Sequence, residues 1–555
     1  MVYLYAYKKG EQPDVRQSIL YKGSLQEIHV DSITVHLNDG QQNPDIINGE
    51  QFAIEHASSD IGGTAGIRSL YTFITSDEDQ RQLLLGQRAP RVDKRLKLSK
   101  SYHPDYDDII LKAKQAQDYF LLIGPPGTGK TSQALQFLVR EQLATTPTSQ
   151  SSTPKSQSSI LLLAYTNRAV DEICGMLTAN HLDYVRIGNE FSCDPKYSDH
   201  LLSSLLGENP SLASIREKIS SAQIIVATTS TMNSRSALFN IKHFDLAIID
   251  EASQILEPNI VGILSAGHGE GRSIERFILV GDHKQLPAVV QQGDIETAID
   301  SPLLKDIHLL SCANSLFERL ILTERGAGRT DFIGTLHKQG RMHPDIADFA
   351  NRKFYVQEQL ECVPLAHQVE ENLPYKETSE DATDELLKAH RMLFIPSKPC
   401  RKLNISEKVN TEEAKIIADM LRRLYRQLSE NFNAQKSVGI IVPYRNQIAM
   451  IRKEIEKLGI PALEDISIDT VERYQGSQRD VILYSFTVQS RYQLDFLTAN
   501  TFYEDGQPID RKLNVAITRA RKQLILTGNE ATLRQNKLFA ELIDYIKEKG
   551  GYQTQ

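Results

Sequence analysis

Residues 119–131 constrain this chain more than any other stretch, because the apolar run Tyr119-Phe120-Leu121-Leu122-Ile123 feeds straight into Gly124-Pro125-Pro126-Gly127-Thr128-Gly129-Lys130-Thr131. The order predicts a strand, a phosphate-binding loop and a helix over Ser132 to Leu143. In a G-x4-G-K-T spacing successive backbone N–H groups face a triphosphate, Lys130 reaches its β- and γ-phosphates, and the Thr131 hydroxyl is placed for Mg²⁺. Gly124, Gly127 and Gly129 let the backbone approach the phosphates, with Pro125 and Thr128 completing the loop. Chance yields the bare pattern in roughly one or two per cent of chains this long. The strand in front of it makes an accident rarer, so a nucleotide site, with ATP and Mg²⁺ as its ligands, is the first expectation.

At 555 residues with 40% apolar content, the chain should divide into roughly three or four globular domains, each able to bury a core. Its net charge of −8, from 63 Lys+Arg against 71 Asp+Glu, excludes a broadly basic nucleic-acid coat but allows a narrow basic groove. Cys174, Cys193, Cys312, Cys362 and Cys400 lie far apart with no C-x2-C or C-x4-C pair, which points to reduced thiols and away from zinc or iron–sulfur sites. No 18-residue apolar stretch and no charged-then-apolar leader appears, so the expectation is a cytoplasmic protein with no membrane partner.

Residues 1–90 alternate in short runs such as Tyr3-Leu4-Tyr5-Ala6-Tyr7 and Ile33-Thr34-Val35-His36-Leu37, with Asn38-Asp39-Gly40 as a turn. That is hairpin chemistry and predicts a small β-barrel. A helical pattern over Ile67 to Leu85 and a basic run from Arg88 to Lys97 follow, the latter read either as a solvated linker or as a nucleic-acid contact. Residues 144–159, rich in Ser, Thr, Pro and Gln, predict a flexible surface insertion. Continuous apolar runs at 160–166, 224–230, 246–250 and 277–282 then predict a parallel sheet buried on both faces, with ligands at the carboxyl ends of its strands. The second half repeats this grammar without a phosphate loop at 332–336, 438–444, 466–471, 481–486 and 524–528. The domain boundaries expected are 1–95, 96–325 and 326–555, and residues 356–390 carry no readable pattern.

Asp250-Glu251 closes the run Leu246-Ala247-Ile248-Ile249. Behind a phosphate loop, such a pair offers one carboxylate for the Mg²⁺ shell and one to activate water, whereas alone it would be an ordinary surface acidic pair. The next strand ends in Gly281-Asp282-His283-Lys284-Gln285-Leu286-Pro287, where Gln285 either orients water and senses the γ-phosphate or merely sits in a turn.

With these residues in place the chain resembles the superfamily 1 helicases. GPPGTGKT is followed, in the order and spacing of that family, by AYTNRAVDEI (164–173), TTSTM (228–232), DEAS (250–253), GDHKQLP (281–287), QGRMHP (339–344), VPYRNQ (442–447), TVERYQGSQRDVI (470–482) and LNVAITRARK (513–522). It looks most like the 5′-to-3′ subgroup that contains the nonsense-mediated-decay RNA helicase and the replication nuclease-helicase. The likeness runs over roughly residues 100–530, and residues 1–95 resemble the small β-barrel with stalk found ahead of the motor in that subgroup.

The resemblance implies an α/β fold of two RecA-like P-loop motor domains with ATP between them and a single strand across their top. Matched by motif, Lys130 and Thr131 bind phosphate and Mg²⁺, Asp250 completes the metal shell, Glu251 is the general base and Gln285 the γ-phosphate sensor. Arg341 and Arg519 are arginine fingers supplied from the second domain, so that hydrolysis waits for the cleft to close. Strand contacts fall on Thr166, Asn167, Thr228, Thr229, Pro443, Tyr444, Arg445 and Thr470, whose hydroxyls and amides suit phosphates. Thr228, Thr229 and Ser230 could instead cap a helix.

Three positions depart from the family pattern. Gly340 stands where an aromatic residue usually stacks on adenine, Gln478 stands where Glu is common, and Lys512 follows Arg511 at the second basic position of the last motif. There is room for neither a cysteine-bound cluster nor an acidic nuclease site, so nuclease activity is not expected, although a nuclease on a separate or longer polypeptide fits the reading. The expectation is a monomeric, ATP-dependent 5′-to-3′ translocase on single-stranded nucleic acid, with DNA favoured over RNA. The rival is a P-loop ATPase that remodels protein complexes without unwinding.

Overall fold

The computed structural model describes residues 2–10, 12–14, 20–37, 51–56, 61–144, 158–207, 209–269, 271–290, 292–400, 408–474 and 476–554, in two compact units, Met1–Arg68 and Ser69–Gln555. In the first unit four strands form one antiparallel sheet in the order Ile33–Leu37, Tyr21–Ile28, Val2–Tyr7, Gln51–His56. Val2 and Tyr5, three apart and so on opposite faces of the strand, are both buried. Among the described residues the two outer strands do not pair with each other, so the described strands form an open four-stranded sheet, and closure into the barrel expected is not seen in them. The Asn38-Asp39-Gly40 turn lies outside the described residues, as does most of the 144–159 insertion.

The second unit carries two parallel sheets. The first runs Ile333–Thr335, Tyr119–Ile123, Ile274–Gly281, Phe244–Asp250, Ile160–Ala164, Ile224–Thr228, Val185–Ile187. Every neighbouring pair is parallel, with Gly281 opposite Ile123 and Leu279 opposite Ile249. That register makes residues 124–131, 250–251 and 282–285 leave the sheet at one edge, which is where a ligand belongs in such a sheet. The segment 332–336, expected in the second sheet, instead pairs with the phosphate-loop strand. Gly334 permits this, since a Cβ there would stand 2.7 Å from Phe120 Cζ.

The second sheet runs Met392–Pro396, Ala520–Gly528, Arg479–Ser485, Val438–Val442, Ser467–Thr470, all parallel. Its side chains alternate between two separate cores: Ile482, Tyr484, Leu524 and Leu526 join one, Val481, Leu483 and Ile525 the other. Burial on both faces is why these strands read as unbroken apolar runs.

Three local features correct finer expectations. The helical stretch from Ile67 breaks at Asp77, whose side chain accepts from Gln80 N at 2.8 Å and caps Glu78–Leu84. The helix after the phosphate loop opens as a π-turn over Lys130–Ala134 before Leu135–Ala144, a form that recurs at functional sites. The basic run is largely paired: Arg88 and Arg91 hold the fully buried Asp118 carboxylate at 3.0 and 2.6 Å, Lys94 meets Asp331 at 2.5 Å, and Arg95 meets Asp93 at 2.9 Å. This is the linker alternative. No described helix is long and apolar enough to cross a membrane.

Candidate nucleotide site

The phosphate loop takes its shape from left-handed backbone at Gly127 and Gly129, with φ of 76° and 74°. A Cβ on Gly124 would stand 2.1 Å from Lys130 Cγ, and one on Gly127 would stand 2.5 Å from Arg341 Cβ. The first glycine therefore lets the loop close over Lys130, and the second lets the 340–341 segment dock on it, where Gly340 N donates to Gly127 O at 2.9 Å. Tyr106 OH donates to Thr128 O at 2.9 Å and Thr128 Oγ1 to Pro125 O at 2.7 Å, which pins the loop from behind.

At the end of Phe244–Asp250, Asp250 Oδ2 accepts from Thr131 Oγ1 at 2.6 Å. Glu251 follows in the left-handed region at φ 53°, costly for a residue with a side chain. That turn directs its carboxylate back to Lys130 Nζ at 3.7 Å and to Gln254 Nε2, which donates at 2.9 Å. Burial and the Glu251 charge push the Asp250 carboxyl above its ordinary range. Burial acts on Glu251 in the same direction, but Lys130, Gln254, Arg519 and Arg341 outweigh it and hold Glu251 low. The cations around Glu251 favour its ionised form, the form a base needs. Two oxygen donors, Thr131 Oγ1 and Asp250 Oδ2, set beside a phosphate loop suit Mg²⁺, which takes one or two protein oxygens plus phosphates and water. Among the described residues no group of three or more His, Cys, Asp or Glu side chains forms a separate metal cage.

Gln285 is gripped from both sheets. Its Nε2 donates to Asp282 Oδ2 at 2.8 Å, and its Oε1 accepts from Arg519 Nη2 at 2.9 Å. Tyr355 OH donates to the same Asp282 oxygen at 2.8 Å and accepts from Asn514 Nδ2 at 2.9 Å. Arg341 Nε donates to Gln478 Oε1 at 2.9 Å, so this Gln orients an arginine, a role the motif comparison did not assign it. Burial and the neighbouring Arg341 lower Arg519 to about 9, which stores an electrostatic demand for anions in the cleft. Lys130, Glu251, Gln285, Gly340, Arg341 and Arg519 line one cavity of about 470 Å³. Arg341 was expected on the body of the second domain; it stands on the stretch between Ile333–Thr335 in the first sheet and Pro344–Lys353, whose Ile346 belongs to a second-sheet core.

Residues that the sequence did not single out complete the cleft. Val363 and Leu365, from the unread 356–390 segment, line it beside Gly340, with Leu365 Cδ1 3.1 Å from where a Gly340 Cβ would lie. Lys284 Nζ lies 2.8 Å from Glu358 and 2.5 Å from Glu504, and Glu504 also meets His283 and Arg325, each at 2.9 Å. Glu504 belongs to the hairpin Thr501–Glu504 and Gln507–Asp510, so that hairpin clamps the loop carrying Gln285. Arg511 adds a bond to His283 O at 2.9 Å.

The residues expected to face a strand all sit at carboxyl ends of parallel strands. Thr166 accepts from Ala169 N at 3.2 Å and starts the helix Asn167–Ala179, with Asn167 exposed. Thr228 is the N-cap of Thr229–Ser234, accepting from Thr231 N at 3.0 Å, so capping is the use the structure shows for Thr228, while Thr229 is buried as the first residue of that helix. In the second sheet Pro443 and Tyr444 lead into Arg445–Glu456 with Arg445 exposed, while Thr470 ends its strand buried.

Two family models, each described as an AAA domain, match the chain: one over residues 104–219 and 208–292, the other over 312–531. The chain is 29% identical over 500 residues to a DNA replication ATP-dependent helicase/nuclease of Arabidopsis thaliana, covering 86% of this chain and 33% of that protein. It is 30% identical over 482 residues to a protein of the same description from Xenopus laevis, covering 81% and 41%. A putative helicase from Danio rerio, mov-10-B.2, is 25% identical over 586 residues, covering 98% and 53%. The chain therefore spans between a third and about half the length of these relatives.

Proposed function

Proceeding from a chain that belongs to the superfamily 1 helicases, we propose that it hydrolyses ATP between its two parallel-sheet domains to move along single-stranded nucleic acid. The observation that carries this reading is the hand-to-hand grip of Asp282, Gln285 and Arg519. A side chain beside the phosphate loop is held by an arginine of the other domain, so whatever stands at the γ-phosphate position is felt across the cleft.

In this mechanism the phosphate loop and Lys130 hold the triphosphate, and Thr131 and Asp250 would hold Mg²⁺, which would supply charge neutralisation to the phosphates. Glu251 accepts a proton from water as the water oxygen bonds to the γ-phosphorus. The bond from that phosphorus to the bridging oxygen breaks, leaving ADP and phosphate. Arg341 and Arg519 offset the charge that spreads over the transferred group. Both guanidinium groups come from the same chain, which supports a monomeric motor.

DNA is the favoured track because two of the relatives are described as DNA replication helicase/nucleases, and the 5′-to-3′ direction follows the subgroup whose motifs the chain shares. A nuclease on a partner or on a longer polypeptide fits the same relatives. The first unit serves, in this reading, as the accessory domain that precedes the motor in the chain. The test is ATPase rate with and without single-stranded DNA or RNA, followed by unwinding of 5′- and 3′-tailed duplexes. A large stimulation that weakens steeply with salt is expected, since phosphate contacts release counterions. Indifference to every polynucleotide would favour the remodelling alternative, and Lys130→Ala should abolish the ATP-dependent rise in melting temperature.

A further inference from the structure

Beside the Pro443-Tyr444-Arg445 turn lies an aromatic surface that no motif of the family accounts for. The helix Arg491–Leu497 is fixed at its start by a capping box between Ser490 and Gln493. It buries Gln493, Leu494 and Leu497 and turns the opposite face outward, leaving Tyr492 80% and Phe496 50% exposed one turn apart. Phe496 is backed by the buried Tyr444 ring, stacked at 5.7 Å and 18°, and Lys512 Nζ stands 4.8 Å from its centroid. The carboxylates nearby are matched, Asp495 by Arg491 at 3.0 Å and Glu472 by Lys512 at 3.5 Å, and Arg445 is exposed on the adjoining helix.

Two water-facing aromatic rings one helical turn apart, one of them backed by a buried tyrosine and with Lys512 over it, are poor surface chemistry for an isolated protein, but they suit sequence-tolerant base stacking. We propose that Tyr492 and Phe496 form a stacking platform for the bases of a single strand whose phosphates pass the Tyr444–Arg445 turn. This rests on the helicase reading and adds the base-facing part of a site otherwise built for phosphates. The occupant is nucleic acid because the platform joins that turn through the Phe496–Tyr444 stack, next in sequence to which stands the exposed Arg445.

The experiment compares binding of an oligothymidylate with that of an abasic oligomer of equal length, by fluorescence anisotropy in the full chain. The unmodified protein should prefer the oligomer with bases. The double variant Tyr492→Ala, Phe496→Ala should weaken oligothymidylate binding by about tenfold or more, within the range of one to two stacked bases, and change abasic binding by less than about twofold. Tyr492→Ala alone, at a position too exposed to matter for folding, should give part of the loss, and Phe496→Tyr should retain binding. Equal weakening toward both oligomers, or none, overturns the platform, as does an unmodified protein that binds both alike. An unmodified protein that binds neither defeats the helicase reading itself.

Discussion

Glu251 holds its carboxylate at Lys130 by way of a left-handed backbone, a conformation that costs of order 1–3 kcal/mol. Glu251→Gln keeps that backbone and removes only the proton acceptor. Turnover should fall by about a hundredfold or more while ATP binding persists, measured by steady-state ATPase and by ligand-induced thermal shift. Glu251→Gly should be equally inactive yet melt higher, because glycine adopts the same turn without strain. At Gly340 the backbone is not left-handed, and the atom nearest a new Cβ is Leu365 Cδ1, the tip of a flexible side chain. Gly340→Tyr should therefore fit, lowering KM for ATP with little change in kcat, and the unmodified protein should use ATP and GTP at similar rates. A preference for ATP beyond about a hundredfold, some 2.7 kcal/mol, would show that another residue reads the base.

Elements differ in how openly the sequence declares them. The central strands were readable because burial on both faces imposes apolar runs, and register then brings Lys130, Asp250, Glu251 and Gln285 to one edge. Edge strands declare less: 332–336 reads as a strand but not as one of the first sheet, and Val185–Ile187, which buries Arg186 in its middle, does not read as a strand at all. Nor could the 356–390 segment be read, because Glu358, Val363 and Leu365 owe their roles to Lys284 and Gly340, groups distant in the chain. The Arg88–Lys97 run was ambiguous for the same reason, its partner being Asp118. That carboxyl is raised by burial but held by Arg91 and Arg88 at about 2, against 3.8 in an unfolded chain. A depressed carboxyl stabilises the fold above the unfolded value and loses that contribution as pH falls through the folded one. Asp118→Asn should lower the melting temperature at pH 6, with the gap to the unmodified protein closing between about pH 4 and pH 2. A gap that stays constant over that range would mean that the Arg88–Asp118–Arg91 cluster does not set acid stability.

For the whole molecule, the two arginines that line the cavity beside the phosphate loop stand in unequal places. Arg519 is borne by the second sheet itself, immediately before Ala520–Gly528. Arg341 lies between a strand sewn into the first sheet and a helix packed on the second, with Gly340 bonded to the phosphate loop. If the two sheets swing apart, a group near the pivot travels little while one far along the lever travels the whole arc. Arg341 then accompanies the nucleotide through the stroke, and Arg519 arrives only at its end. Arg341→Ala should accordingly raise KM as well as lower kcat, the mark of a group that meets the nucleotide before the transition state and stays through it, whereas Arg519→Ala should lower kcat and kcat/KM together. Two guanidinium groups of like chemistry would thus divide their work by radius, one serving as the fulcrum's anchor and the other as the clock of the cycle.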